Sequence, residues 1–237
     1  MNRRTDASTY FETLSLTPIA HIHSDFPEKF GIPRQSGMAE VSSFLLFEKE
    51  YRSPDCIRDL EQFSHLWLLW GFSANEAGRW SPTVRPPRLG GNKHTGVFAS
   101  RSPFRPNPVG LSSVRLDKIE YGADGPALFL SGADLMDGTP IYDIKPYLPF
   151  TDCHPDASAS FTADALKHRL QVHCEPSLLS LIPEKKREAL LSALALDPRP
   201  AYHSDPDRQY GMSFSSYTVR FFVKDNNLYV SEICKRI

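Results

Sequence analysis

Proline and glycine punctuate the strand-like apolar runs of this chain as far as Asp152, and that punctuation points to several short strands. Leu16–His23 reads as a strand broken at its start by Pro18. Phe26–Gln35, with two prolines and a glycine, reads as a loop. Val41–Phe47 is strand-like and Asp55–Phe63 predicts one short helix. Leu66-Trp-Leu-Leu-Trp-Gly-Phe72 is a continuous apolar run, expected as a strand buried on both faces, with a buried helix as the alternative. Thr95–Ala99, Leu111–Glu120 and Ala127–Ser131 are further strands. Many short strands with such punctuation predict a barrel or a sandwich.

The composition shifts near Asp152. Beyond it, Leu170–Cys174 is expected as a strand, and Pro183–Leu196 as a helix turning Leu190, Leu191 and Leu194 to a core. Ser215–Val223 and Leu228–Ile233 flank Lys224-Asp-Asn-Asn227, a hairpin turn. The expected organisation is a polar tail at 1–13, a β-rich domain over 14–155 and a small α+β domain over 156–237.

Charge is distributed unevenly. The forty residues between Glu76 and Asp117 hold no carboxylate but seven cations, Arg79, Arg85, Arg88, Lys93, Arg101, Arg105 and Arg115, with six prolines and five glycines. Such a window sets up a local positive field suited to a polyanion. The plainer reading is a solvated loop region. With 27 Lys+Arg against 28 Asp+Glu, the formal net charge is −1, which argues against nonspecific coating of nucleic acid while leaving room for one basic face.

Other classes are disfavoured. The first ten residues contain no apolar core of a secretory signal, and no apolar run approaches the ~20 residues of a membrane helix. Cys56, Cys153, Cys174 and Cys234 are widely spaced, so free thiols and a cytoplasmic location are expected. Asp152-Cys-His-Pro-Asp156 and His173-Cys174 match no zinc spacing, and no metal is expected. His65, beside the apolar strand, reads as a core histidine. No G-x-G-x-x-G opens a helix after a strand, so the fold is not expected to be of Rossmann type.

Three loops combine glycine or proline with polar side chains, as ligand loops on a rigid scaffold do. They are Phe30-Gly-Ile-Pro-Arg-Gln35; Val84-Arg-Pro-Pro-Arg-Leu-Gly-Gly-Asn92 continuing to Ala99–Gly110; and Ser131–Tyr147, where Asp137-Gly138 is also explained as an ordinary hairpin turn.

The strings FSHLWLLW (63–70), RPPRLGGN (85–92), SRSPFRPNPVGLS (100–112), GADLMDGTP (132–140), DIKPYLPF (143–150) and DPRPAY (197–202) resemble the TrmO/TsaA-type family of bacterial tRNA methyltransferases, from about Leu16 to about Val230. The resemblance implies a homodimer with a mostly antiparallel β-barrel catalytic domain. It implies transfer of a methyl group from S-adenosylmethionine to N6 of threonylcarbamoyladenosine at position 37 of tRNA, in the anticodon stem-loop. Family positions carried across place the cofactor on Pro33, Arg34, Gln35, Ser73, Ala74, Arg101, Leu111 and Ser131, Gly132, Ala133 and Asp134. Ser73 departs from the histidine common in the family, so only a backbone contact would be preserved there.

These residue types suit that chemistry. An arginine can bind the ligand carboxylate through two parallel bonds, and small residues admit a close backbone approach. N6 is a poor nucleophile, so a carboxylate accepting its proton would help; Asp134 and Asp143 are the candidates, with Asp137 also in reach of the role. Arg85, Arg88, Lys93, Arg105, Lys145 and Tyr147 are candidates to hold tRNA by phosphate contact or stacking. Two other readings stand: a tRNA- or anion-binding module without chemistry, and a methyltransferase for another purine or a small molecule.

Overall fold

In a computed structural model, described for residues 14–75, 79–86, 93–160, 162, 169–200, 205 and 207–236, the first part of the chain is a closed six-stranded barrel. Its strands are β1 (Ala20–His23), β2 (Ser42–Phe47), β3 (His65–Gly71), β6 (Val109–Gly122), β7 (Gly125–Ser131) and β8 (Pro140–Pro146), with β4 (Thr83–Val84) and β5 (Thr95–Gly96) forming a separate small ribbon. The barrel order is β1-β2-β7-β6-β3-β8, every pair antiparallel.

Strict alternation in sequence produces this closure. In β2, Ser43, Leu45 and Phe47 point inward while Ser42, Phe44 and Leu46 point out, and β7 alternates likewise. Leu45, Leu66, Leu68, Leu128, Leu130 and Ile141 are fully buried and fill the lumen. At about 25 cal/mol per Å² of apolar surface, this interior drives closure. β3 buries one face only: Leu66 and Leu68 are in the core and Trp70 packs against it from the same face, whereas Trp67 and Leu69 are half-buried on the other side, so the expected two-sided burial is replaced by a one-sided strand. The pairing of β3 with β8 slips between Leu69 and Trp70, whose partners are Asp143 and Ile141, so that Tyr142 is the extra residue of a bulge on β8.

Several local expectations change. Asp55–Phe63 is not one helix but two single 3₁₀ turns, Pro54–Ile57 and Leu60–Gln62, interrupted by Asp59 at φ 66°. Thr95–Ala99 is a strand for two residues and then a 3₁₀ turn, Val97–Ala99. Pro140–Pro146, read as loop, is the barrel strand β8, and the 132–139 segment is a crossover between the non-adjacent strands β7 and β8, not a hairpin. His65 is exposed and bonds Ser64 at 3.0 Å instead of entering the core.

After α1 (Pro149–Asp152) comes a second layer: β9 (Gln171–His173), α2 (Pro176–Leu179), α3 (Glu184–Ala195), β10 (Tyr210–Phe214), β11 (Tyr217–Lys224) and β12 (Asn227–Lys235), with sheet order β10-β11-β12-β9. The β11–β12 turn falls at Asp225-Asn226, with Asp225 at φ 54°. The buried face of α3 is Ala189, Leu190, Ala193 and Leu194; Leu191 stands half-exposed. β10 had no counterpart in the sequence reading.

The two cores are joined by one segment. Phe26, Ala39 and Val41, with partly buried Phe30, Ile32 and Met38, belong to the second core beside Met212, Phe214 and Phe221, although they lie between β1 and β2. Lys186 anchors the same segment by an ion pair with Asp25. The four cysteines are unbridged, and no helix among the described residues is long and apolar enough to cross a membrane.

Candidate active site

In an antiparallel barrel, alternate connections emerge at the same end. Here the connections β1→β2, β3→β6 and β7→β8 share one end, while β2→β3 and the Gly122–Gly125 hairpin lie at the other. The three polar loops picked out in sequence are these three connections. Strand parity brings them together, despite separations of up to a hundred residues along the chain.

At that end lies a cleft of about 220 Å³ lined by Lys29, Ile32, Trp70, Gly71, Phe72, Ser73, Ala74, Asn75, Pro103, Asp134, Leu135, Met136 and Thr139. Trp70 and Phe72 meet edge to face at 4.4 Å and give it an aromatic wall. Trp70 lies over Gly110: a Cβ there would come within 2.2 Å of the indole. Lys29 closes the rim through a 2.7 Å bond to Asn75.

Asp134 is the polar centre. Ser112, buried, accepts from the Trp70 indole at 3.0 Å and donates to Asp134 at 2.6 Å. Burial raises the Asp134 carboxyl above its ordinary range; the Ser112 hydroxyl, backbone amides and the Arg101 charge oppose the rise without cancelling it. Asp134 sits in a segment whose backbone is tied to the first loop: Gly37 donates to the Gly132 carbonyl at 2.8 Å and Gly132 to the Val41 carbonyl at 2.8 Å. Gly132 has φ 81° and its missing Cβ would stand 3.2 Å from Gly37, so two backbones meet where only glycine fits.

The remaining candidates divide. Arg101 donates to the Gln35 side chain, and Gln35 donates to the Arg34 carbonyl, linking the first and second loops. Arg34 itself points its guanidinium at the carbonyls of Asp197 (3.2 Å) and Arg199 (2.9 Å) in the second layer. Ser73 has its amide on the Gly71 carbonyl at 2.8 Å, and with Ala74 it lines the cleft. Ala133 is buried and Leu111 is exposed outward. Ser131 bonds Asp117 on the barrel wall. Pro33 is buried in the first loop, next to Ile32, which packs against the second core.

Asp143 is away from the cleft lining and pairs with Lys145 at 2.8 Å. Tyr147 stacks obliquely on Trp67 at 5.5 Å, beyond the end of β8. Arg85 bonds His94 at 3.0 Å, Lys93 is exposed and Arg105 half-buried. Arg88 lies outside the described residues. Sequence reasoning missed Trp70, Ser112 and Lys29; the signal that could have found Trp70 is its alternation with Leu66 and Leu68 on one face of β3.

Residues 21–153 match the family described as the tRNA-methyltransferase O N-terminal domain, and residues 163–236 match the TrmO C-terminal domain. A tRNA (adenine(37)-N6)-methyltransferase of Escherichia coli K12 is 44% identical over 218 residues, spanning 87% of this chain and 92% of that protein. A Pseudomonas aeruginosa protein named "Putative S-adenosylmethionine-dependent methyltransferase RcsF" is 41% identical over 209 residues, 84% of this chain and 88% of that one. A crystal structure of TrmO from P. aeruginosa superposes with a TM-score of 0.77 at 33% identity, covering 95% of this chain and 99% of that chain. With both family domains matched in order and the fold shared throughout, this chain belongs to the TrmO family of tRNA methyltransferases.

Proposed function

We propose that this protein methylates N6 of adenosine 37 in tRNA, using S-adenosylmethionine, with the threonylcarbamoylated adenosine as its substrate. The observation that carries the reading is the buried Asp134 carboxylate in an aromatic-walled cleft where the three loops meet. The cleft fits the cofactor. Trp70, Phe72 and a carboxylate suit a sulfonium cation, Gly132 allows close backbone approach to a nucleoside, and Arg101 at the rim suits a carboxylate.

The bound cofactor supplies an electrophilic methyl carbon. Asp134 would accept the N6 proton, removing the positive charge that transfer of the methyl group would leave on the nitrogen. Ser112 and Trp70 hold the carboxylate in place, and its burial tunes its proton affinity upward, toward the working range of a base. Gln35 and Arg101 orient the ligand, so that positioning supplies much of the rate. Arg85, Lys93 and Arg105, in the carboxylate-free window, take the phosphate backbone, together with Arg88 from outside the described residues.

The active unit is a homodimer in the cytoplasm. Exposed Phe98 and Phe104 in the β3→β6 connection, with exposed Leu111 near the start of β6, support the dimer, because apolar side chains beside a basic rim suit a protein interface. Nucleoside mass spectrometry of tRNA from cells with and without the gene tests the reading. Loss of the doubly modified nucleoside, with accumulation of threonylcarbamoyladenosine, is expected. An unchanged profile, with no S-adenosylmethionine binding by calorimetry, would favour the binding-module reading. Binding without a tRNA product would redirect the search to another purine.

A further inference from the structure

The DPRPAY segment begins where α3 ends, and its first three residues face the first loop. Asp197 follows Leu196 with φ 53°, the left-handed conformation that helix ends usually give to glycine. Here an aspartate holds it, and its carboxylate takes both nitrogens of a fork from Arg199, at 2.8 and 2.9 Å, with both side chains largely buried. The pairing raises the Arg199 guanidinium above its already high ordinary value. The backbone so fixed turns the carbonyls of Asp197 and Arg199 toward one point, and Arg34 Nη2 bonds both, at 3.2 and 2.9 Å.

From Arg34 the contacts run into the cleft. The Arg34 carbonyl receives the Gln35 amide, the Gln35 carbonyl oxygen receives Arg101, and the Arg101 charge acts on Asp134. We propose that Asp197 and Arg199 are positioning residues for cofactor binding, a clamp in the C-terminal layer that sets Arg34 and, through Gln35, the place of Arg101. This rests on the reading that Gln35 and Arg101 contact S-adenosylmethionine. An aspartate at a glycine-favouring position then has a reason: glycine would satisfy the backbone but could not hold Arg199.

The backbone conformation makes the test clean. Asp197→Gly suits a left-handed φ, so the helix end is kept while the fork is lost. The variant is expected to fold but melt below wild type, because Arg199 loses a largely buried partner, to bind S-adenosylmethionine about fivefold more weakly by calorimetry, and to show a raised KM for that ligand with kcat nearly unchanged. In a Gln35→Ala background the same change should cost little, because the link it acts through is gone. Arg199→Lys, which keeps the charge but cannot fork, should reproduce the loss and serves if Asp197→Gly does not fold. Wild-type affinity in the folded variant, or an equal loss with and without Gln35, would overturn the clamp. A wild-type chain that binds no S-adenosylmethionine would overturn the functional reading and the clamp with it.

Discussion

Ser112 donates its hydroxyl proton to Asp134 across 2.6 Å, from a position on β6 where it is almost wholly buried. The bond favours the ionised carboxylate and partly offsets the burial that raises its proton affinity. Removing it with Ser112→Ala should raise the Asp134 pKa further. Activity that requires the ionised form then falls away at higher pH, so the acidic limb of the kcat profile moves to the alkaline side. An unmoved limb would show that Asp134 is not the titrating base.

Asp134→Asn separates stability from catalysis. The folded state holds the Asp134 proton more tightly than the unfolded chain, where the ordinary value is 3.8. The cost of burying the charge is absent below that value and grows as pH rises through the raised folded pKa. The asparagine variant should therefore melt above wild type at neutral pH, with the gap closing toward pH 3.8, while turnover drops by roughly 10²- to 10⁴-fold. Paired melting curves across pH and single-turnover rates measure both.

Gly110→Ala places a methyl group 2.2 Å from the Trp70 ring, a separation the packed indole cannot absorb. Displacing Trp70 costs about 1–3 kcal/mol and breaks its bond to Ser112. Denaturant unfolding should show the loss, and weakened S-adenosylmethionine binding should accompany it.

Arg101→Ala and Arg85→Ala should fail differently. Arg101 meets Gln35 at the cleft, so its loss weakens the cofactor more than tRNA. Arg85 lies on the basic ribbon beside His94, so its loss weakens tRNA and lowers the salt dependence of binding by about one unit of slope. Filter binding over a salt series and calorimetry distinguish the two; equal losses for both ligands in both variants would remove the division.

The sequence announced the three loops because glycine and proline at odd spacing mark turns locally, and it announced β2 and β7 because alternation is a local pattern. It hid β8, whose bounding prolines, Pro140 and Pro146, and charged Asp143 and Lys145 read as loop; its strand character comes from pairing with β1 and β3. Asp59 broke the expected helix by adopting a left-handed conformation that its side-chain type tolerates but does not require. Arg34 looked available for a ligand because its partners, two carbonyls more than 160 residues away, carry no side-chain signal. Ser112 was an unremarked serine until Trp70 and Asp134 were folded around it.

Trp70 has one more consequence. The chain holds three tryptophans, and each sits in a different setting. Trp67 is held by Asp152 at 2.8 Å beyond β8, and Trp80 is largely exposed, while Trp70 alone lines the cleft among the three. Its indole is polarised by Ser112, next to a buried carboxylate whose charge changes with pH. A ligand entering the cleft would alter the field and the solvent around that one ring. The protein thus carries an intrinsic fluorophore in its candidate site, able to follow occupancy of the cleft in real time without a label.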